Sequence, residues 1–133
     1  MYGSAYYLKT CDIIYENRSN ANVGWQNPSG STRWKSVFTP LAEFHNPEWS
    51  SQFHLWVMHW EPGFIRLYLD GRLMNHVDLR QTVEKKYDQF NPFHQKAYMI
   101  LNLAVGGMGG NPAHTAFPGI FQVQYVRVYQ RAN

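Results

Sequence analysis

The stretch from residue 53 to residue 79 constrains the fold more than any other. Ile65, Leu67 and Leu69 alternate with Arg66, Tyr68 and Asp70, the two-residue period of a strand with one buried face. Glu61-Pro62-Gly63 separates a strand over 53–60 from one over 64–69. Asp70-Gly71 is a two-residue hairpin signal ahead of a third strand over 72–79. The pattern predicts a three-stranded antiparallel meander.

Other segments read the same way. Residues 12–16 (DIIYE), 21–25, 34–38 and 120–130 are expected strands, and 1–11 is either a strand or a loose terminus. Asn17 to Asn20 is a turn cluster, 26–32 a loop, 40–52 an irregular connection with one helical turn, and 80–96 a long loop or short helix. Residues 99–105 are apolar except for Asn102, the signature of a strand buried on both faces. A buried amide needs a hydrogen-bond partner, so Asn102 is expected to have one or to point into a cleft. Gly106, Gly107, Gly109 and Gly110 follow. The absence of GKS or GKT, with Pro112 where a helix would begin, rejects a phosphate loop. No stretch carries a 3.6-residue apolar period. The expected class is all-β, one domain over 1–133, with two antiparallel sheets packed as a sandwich.

Composition narrows the partners. With 17% aromatic and only 16% charged residues, the chain is a folded domain rich in flat stacking surfaces of the kind that meet sugars or bases. Its basic residues are scattered, with Lys85-Lys86 as the one short cluster, so nucleic acid is not an expected partner. The lone Cys11 excludes an internal disulfide, and no Cys/His spacing or HExxH points to a metal. His54 and His59 fall on opposite faces of one strand and read as core or surface histidines. No apolar run is long enough to span a membrane, and the N-terminus as given carries no signal peptide. Asn17-Arg18-Ser19 fits a glycosylation acceptor of low specificity.

Three segments, FHLWVMHWEPGFIRLYLDG, NPFHQKAYMILNLAVGGMGG and FPGIFQVQYVRVYQ, occur in this order. They resemble consecutive parts of glycoside hydrolase family 16, the laminarinase and lichenase-type β-glucanases, in particular the bacterial endo-β-1,3-glucanases. The resemblance runs from about residue 21 to residue 130 and corresponds to the C-terminal half of the family domain. It implies a concanavalin-like β-jelly-roll sandwich in partial form, with a concave cleft for β-glucan. It also implies retaining hydrolysis by two glutamates and an extracellular or periplasmic setting. No cofactor follows from it, and a structural calcium stays open. A half sandwich would expose strand edges, which favours self-association.

The resemblance also directs attention to residues 10–16, ahead of Ala21-Asn22-Val23-Gly24-Trp25. The family carries E-x-D-x-E, or E-x-D-x-x-E with a bulge. Three registers are open. One places Thr10 and Tyr15 at the two glutamate positions, and a second places Cys11 and Glu16 there. The third gives Asp12 as nucleophile, Ile14 in place of the orienting Asp, and Glu16 as acid/base. Only the third keeps two carboxylates, so Glu16 and Asp12 are the candidate catalytic residues. Residues i and i+4 of a strand share a face with Cα atoms about 13 Å apart, whereas retaining chemistry needs carboxyl groups about 5–5.5 Å apart. Asp12, one methylene shorter than Glu, closes that gap less well. Ordinary strand-end carboxylates in a degraded motif are the alternative. Trp25 and Trp34 are candidate sugar-stacking platforms, with core packing as the alternative. Asn102 matches the Asn of the family's NLAVGG and is a candidate substrate ligand. Trp56 and Trp60 share a strand face and are expected in the core. Gln124 stands where the family commonly has Asp.

Overall fold

A computed structural model describes residues 4–11, 18–26, 28–83, 90–103, 111–114 and 117–130. The expected strand over 12–16, and with it Asp12 and Glu16, lies outside the described residues. So do Asn17, Lys85-Lys86, and the glycines from Gly106 to Gly110.

The described residues form seven strands: β1 (Ser4–Cys11), β2 (Arg18–Gln26), β3 (Thr32–Pro40), β4 (His54–Glu61), β5 (Phe64–Leu69), β6 (Arg72–Asp78) and β7 (Gln122–Gln130). Every pairing is antiparallel. Among the described residues five strands make one sheet in the order β6-β5-β4-β1-β7, and β2 and β3 make a second. The all-β class and the packing of two antiparallel sheets agree with the sequence pattern. Residues 1–11, ambiguous in sequence, include β1 at the centre of the sheet's second half. Arg18 to Asn20, expected as turn, already belong to β2. Among the described residues no helix is long and apolar enough to cross a membrane.

The predicted meander is β4-β5-β6. Its turn works because Asp70 and Gly71 both adopt positive φ, 48° and 82°, the conformation of a tight hairpin turn whose twist matches its strands. Asp70 does more than turn. Its carboxylate accepts from Leu55 N at 2.8 Å and lies 2.6 Å from His54 Nδ1. The other ring nitrogen of His54 meets the Trp49 carbonyl at 2.6 Å. His54 stacks on Trp49 at 3.7 Å, and Trp49 stacks on Phe44 at 4.5 Å. Thus His54 is a satisfied core histidine.

Register sets the core. Trp56, Met58 and Trp60 on β4 stand opposite Leu69, Leu67 and Ile65 on β5, so all six share one face. The β2–β3 hairpin lies over that face. Ala21 packs with Trp49, Leu69 and Met74, and Val23 packs with Ile65, Val77 and Leu79. Trp56 and Trp60 border these two clusters, as expected. The β5–β6 register shifts between Leu67 and Tyr68, so both Met74 and Asn75 turn inward and are buried. Asn75 uses this position to fasten the layers: its amide donates to Ala21 O at 2.7 Å and Lys35 O at 2.9 Å. Lys35 Nζ returns a bond to His76 O at 2.6 Å.

At the end of β6, Asp78 caps the short 3₁₀ turn Leu79–Thr82 by accepting from Arg80 N. The side-chain hydrogen bonds from Arg80 hold the Asp78 carboxyl down at about 2. This support is complete at neutral pH and is lost as pH falls from about 4 towards that value.

One expectation fails. Residues 98–103 form no strand. Tyr98, Met99, Ile100, Leu101 and Leu103 are exposed, and so is Asn102. A strand apolar on both faces needs strand partners and a covering layer on each side. Among the described residues the layer facing the large sheet is a two-stranded hairpin, which covers the β5–β6 side and leaves this run uncovered.

Candidate functional site

The β2–β3 hairpin has two chemically distinct faces. Along β2 the inward residues Ser19, Ala21 and Val23 are buried, while Asn20, Asn22, Gly24 and Gln26 are exposed. Register places Phe38, Ser36, Trp34 and Thr32 of β3 opposite those four exposed positions. Paired residues point to the same side, so the outer face is two aromatic rings set among amides and hydroxyls.

Trp34 is the centre of that face. It is 66% exposed, yet its ring position is defined by its strand partner. A Cβ built on Gly24 would come within 2.5 Å of Trp34 Cζ3 and 2.6 Å of Cε3. The indole therefore lies on the bare backbone of β2, and only glycine permits it. Phe38 is half exposed, with the Arg18 guanidinium 4.5 Å from its centroid. Gln26 is anchored at the far end of the hairpin, its Nε2 donating to Gly30 O at 3.0 Å.

The sequence candidates divide across these surfaces. Trp34 is on the outer face. Trp25 is on the opposite side, edge-on to Phe93 at 6.0 Å and beside the Val23–Leu79 cluster; it takes the packing role. Alternation decides this, since Trp25 shares parity with Val23 and Ala21. Asn102 lies in the exposed 98–103 segment, so the buried amide expected there is not found. Glu16 and Asp12 lie outside the described residues. Sequence reasoning missed Gly24, Asn20 and Phe38 as members of the outer face. The signal for Gly24 was present: a glycine between Val23 and Trp25 in a strand marks close approach by another group. Among the described residues no three His, Cys, Asp or Glu side chains gather to hold a metal.

An exposed ring beside side-chain amides is the chemistry of saccharide recognition: the ring covers the C–H face of a sugar and the amides reach its hydroxyls. No protein-family model matches the chain. Glucan endo-1,3-beta-glucosidase A1 of Niallia circulans is 33% identical over 106 residues, covering 74% of this chain and 16% of that protein. The Beta-glucanase of Rhodothermus marinus is 29% identical, covering 97% of this chain and 48% of that protein. The chain is related to glycosidases. It spans less than half the length of either relative. A solved structure described with endo-acting O-glycanases of the human gut microbiota superposes with a TM-score of 0.72. That match covers 97% of this chain and 51% of that one at 23% identity. The likeness establishes the fold: a jelly-roll-like β-sandwich.

Proposed function

We propose that the chain is a β-glucan-active protein of the glycoside hydrolase family 16 type, and that the outer face of β2–β3 receives the sugar chain. Glu16 as acid/base and Asp12 as nucleophile, two and six residues before β2 begins, supply a retaining hydrolysis of β-1,3 or β-1,3-1,4 glucosidic bonds outside the cell or in the periplasm. One observation carries the reading: an exposed indole held flat on a glycine within a row of amides. Supporting it are the glucanase names of the relatives.

Ile14 in the place of the orienting Asp, and Asp12 one methylene short, favour a second reading. In it the same face binds glucan without cleaving it. Binding and cleavage are separable by experiment. Trp34→Ala is expected to weaken glucan affinity about tenfold, since one stacking contact contributes about 1.4 kcal/mol. Gly24→Ala should do the same from beneath, because its methyl takes the space of the indole. Affinity electrophoresis in laminarin and lichenan gels measures both. Unchanged mobility in both variants would remove this face from consideration. Reducing-sugar release by the parent, abolished in Glu16→Gln, supports hydrolysis. Binding by a folded parent that releases no sugar selects the second reading.

A further inference from the structure

The connection between β3 and β4 builds a cavity of about 270 Å³. Two short 3₁₀ turns frame it, Leu41–Phe44 and Trp49–Ser51. None of its lining residues belongs to β2 or β3, so it is separate from the outer face that carries Trp34. Its size falls just below the roughly 300–1,000 Å³ of sites that take drug-sized ligands. That limits the occupant to one small ring with its substituents.

The walls are held by their own bonds. His45 N donates to Ala42 O at 3.2 Å, Trp49 N to Asn46 O at 3.1 Å, and Gln52 N to Trp49 O at 3.1 Å. The Asn46 side chain fastens the loop twice: Oδ1 accepts from Glu48 N at 3.0 Å, and Nδ2 donates to Gln52 Oε1 at 3.2 Å. Trp49 is anchored between Phe44 and His54. His45, in the lining, adopts a left-handed backbone with φ 51°. Such a conformation costs free energy in any residue but glycine, and it clusters where loops meet ligands.

The lining selects the ligand. Both faces of the Trp49 indole are covered by stacking partners, so only its edge can meet the cavity. The C–H face of a plain sugar ring seeks an aromatic face, and Trp49 offers none here. Leu41, Ala42 and Pro47 supply aliphatic surface instead, beside Asn46 and the exposed His45. A side-chain amide has two N–H groups and two acceptor lone pairs. The bonds to Glu48 and Gln52 use one of each, so Asn46 retains an N–H and a lone pair towards described residues. This combination suits a methyl group with a secondary amide behind it. The methyl rests on the aliphatic surface, the ligand carbonyl accepts from Asn46 Nδ2, and the ligand N–H donates to Asn46 Oδ1. His45 can donate to or accept from a ring hydroxyl.

We infer that this cavity binds one sugar unit bearing an acetamido group, a second glycan contact beyond the outer face of β2–β3. It stands independently of the reading of that face.

The test is a titration of the isotope-labelled chain with N-acetylglucosamine, followed by amide NMR shifts, with glucose and an O-acetylated glucose as controls. N-Acetylglucosamine is expected to shift the Ala42, His45 and Asn46 resonances saturably, while neither control does so at the same concentration. Ala42→Leu fills the cavity. Asn46→Asp keeps the acceptor for Glu48 N and removes the amide donor. Each should weaken binding roughly tenfold, with circular dichroism confirming the fold and laminarin affinity unchanged. Equal shifts with either control, no saturable shift with N-acetylglucosamine, or undiminished binding by either folded variant would overturn the proposal. So would a loss of laminarin affinity in both variants, which would make the cavity part of the outer-face site. Laminarin binding by the parent reads that face by itself.

Discussion

Asn75→Asp is expected to destabilise the fold by about 4 kcal/mol, the cost of an unpaired charge in a buried position. The substitution keeps the shape of the side chain and reverses its chemistry. The amide donates two bonds, to Ala21 O and Lys35 O, and these are bonds from β6 to both strands of the hairpin. A carboxylate there would face two carbonyl oxygens with nothing to donate. An Asn75→Ala variant, which loses the bonds without adding charge, should cost about 2 kcal/mol. The difference between the two variants has a pH signature. Burial raises the introduced carboxyl above its unfolded value, so the extra penalty is full at neutral pH and disappears below about pH 4, where the group is protonated in both states. Urea unfolding at several pH values measures all of this. An Asn75→Asp variant within about 1 kcal/mol of the parent, small against the charge-burial penalty, would mean that the hairpin is not clamped to the sheet through this residue.

His54→Ala is the second large effect, expected at about 3 kcal/mol and a fall in Tm on the order of 10 °C. Three losses combine. The ring leaves a gap beside Trp49, the Trp49 carbonyl keeps only its bond from Gln52 N, and the Asp70 carboxylate keeps only Leu55 N. The ring is buried while its carboxylate partner is about half exposed, so most of the cost arises from the gap. Asp70→Ala removes the carboxylate and leaves the stack, and should therefore cost less than His54→Ala. Thermal unfolding followed by circular dichroism gives the order of the two. The reverse order would place the stabilisation in the turn and not in the stack.

Local pattern was enough for β4, β5, β6 and their turns, because each strand's neighbour is next in the chain and the Asp70-Gly71 conformation is encoded by two adjacent residues. It was also enough to place Trp56 and Trp60 against the core. It failed for residues 98–103. Those residues carry the composition of a doubly covered strand, but composition only states a demand for cover, and what supplies cover is elsewhere.

The candidate site was legible in part. Aromatic content and the resemblance to β-glucanases pointed to a sugar-stacking indole, and named both Trp25 and Trp34. A single strand's alternation tells which residues share a face but not which face meets the core. The core-facing side was decided when Ala21 and Val23 met Leu69 and Val77 from strands some fifty residues away. That contact sends Trp25 inward and leaves Trp34 on the outside, lying on Gly24.

The sequence by itself determined the all-β class and the meander. These are consequences of period-two alternation, turn stereochemistry and side-chain type, which act over a few residues. The tertiary structure alone decided which indole faces solvent and that Asn75 is the clamp between layers. Those depend on which distant strands share a core, and burial is a property of the assembled layers that no short stretch of chain contains.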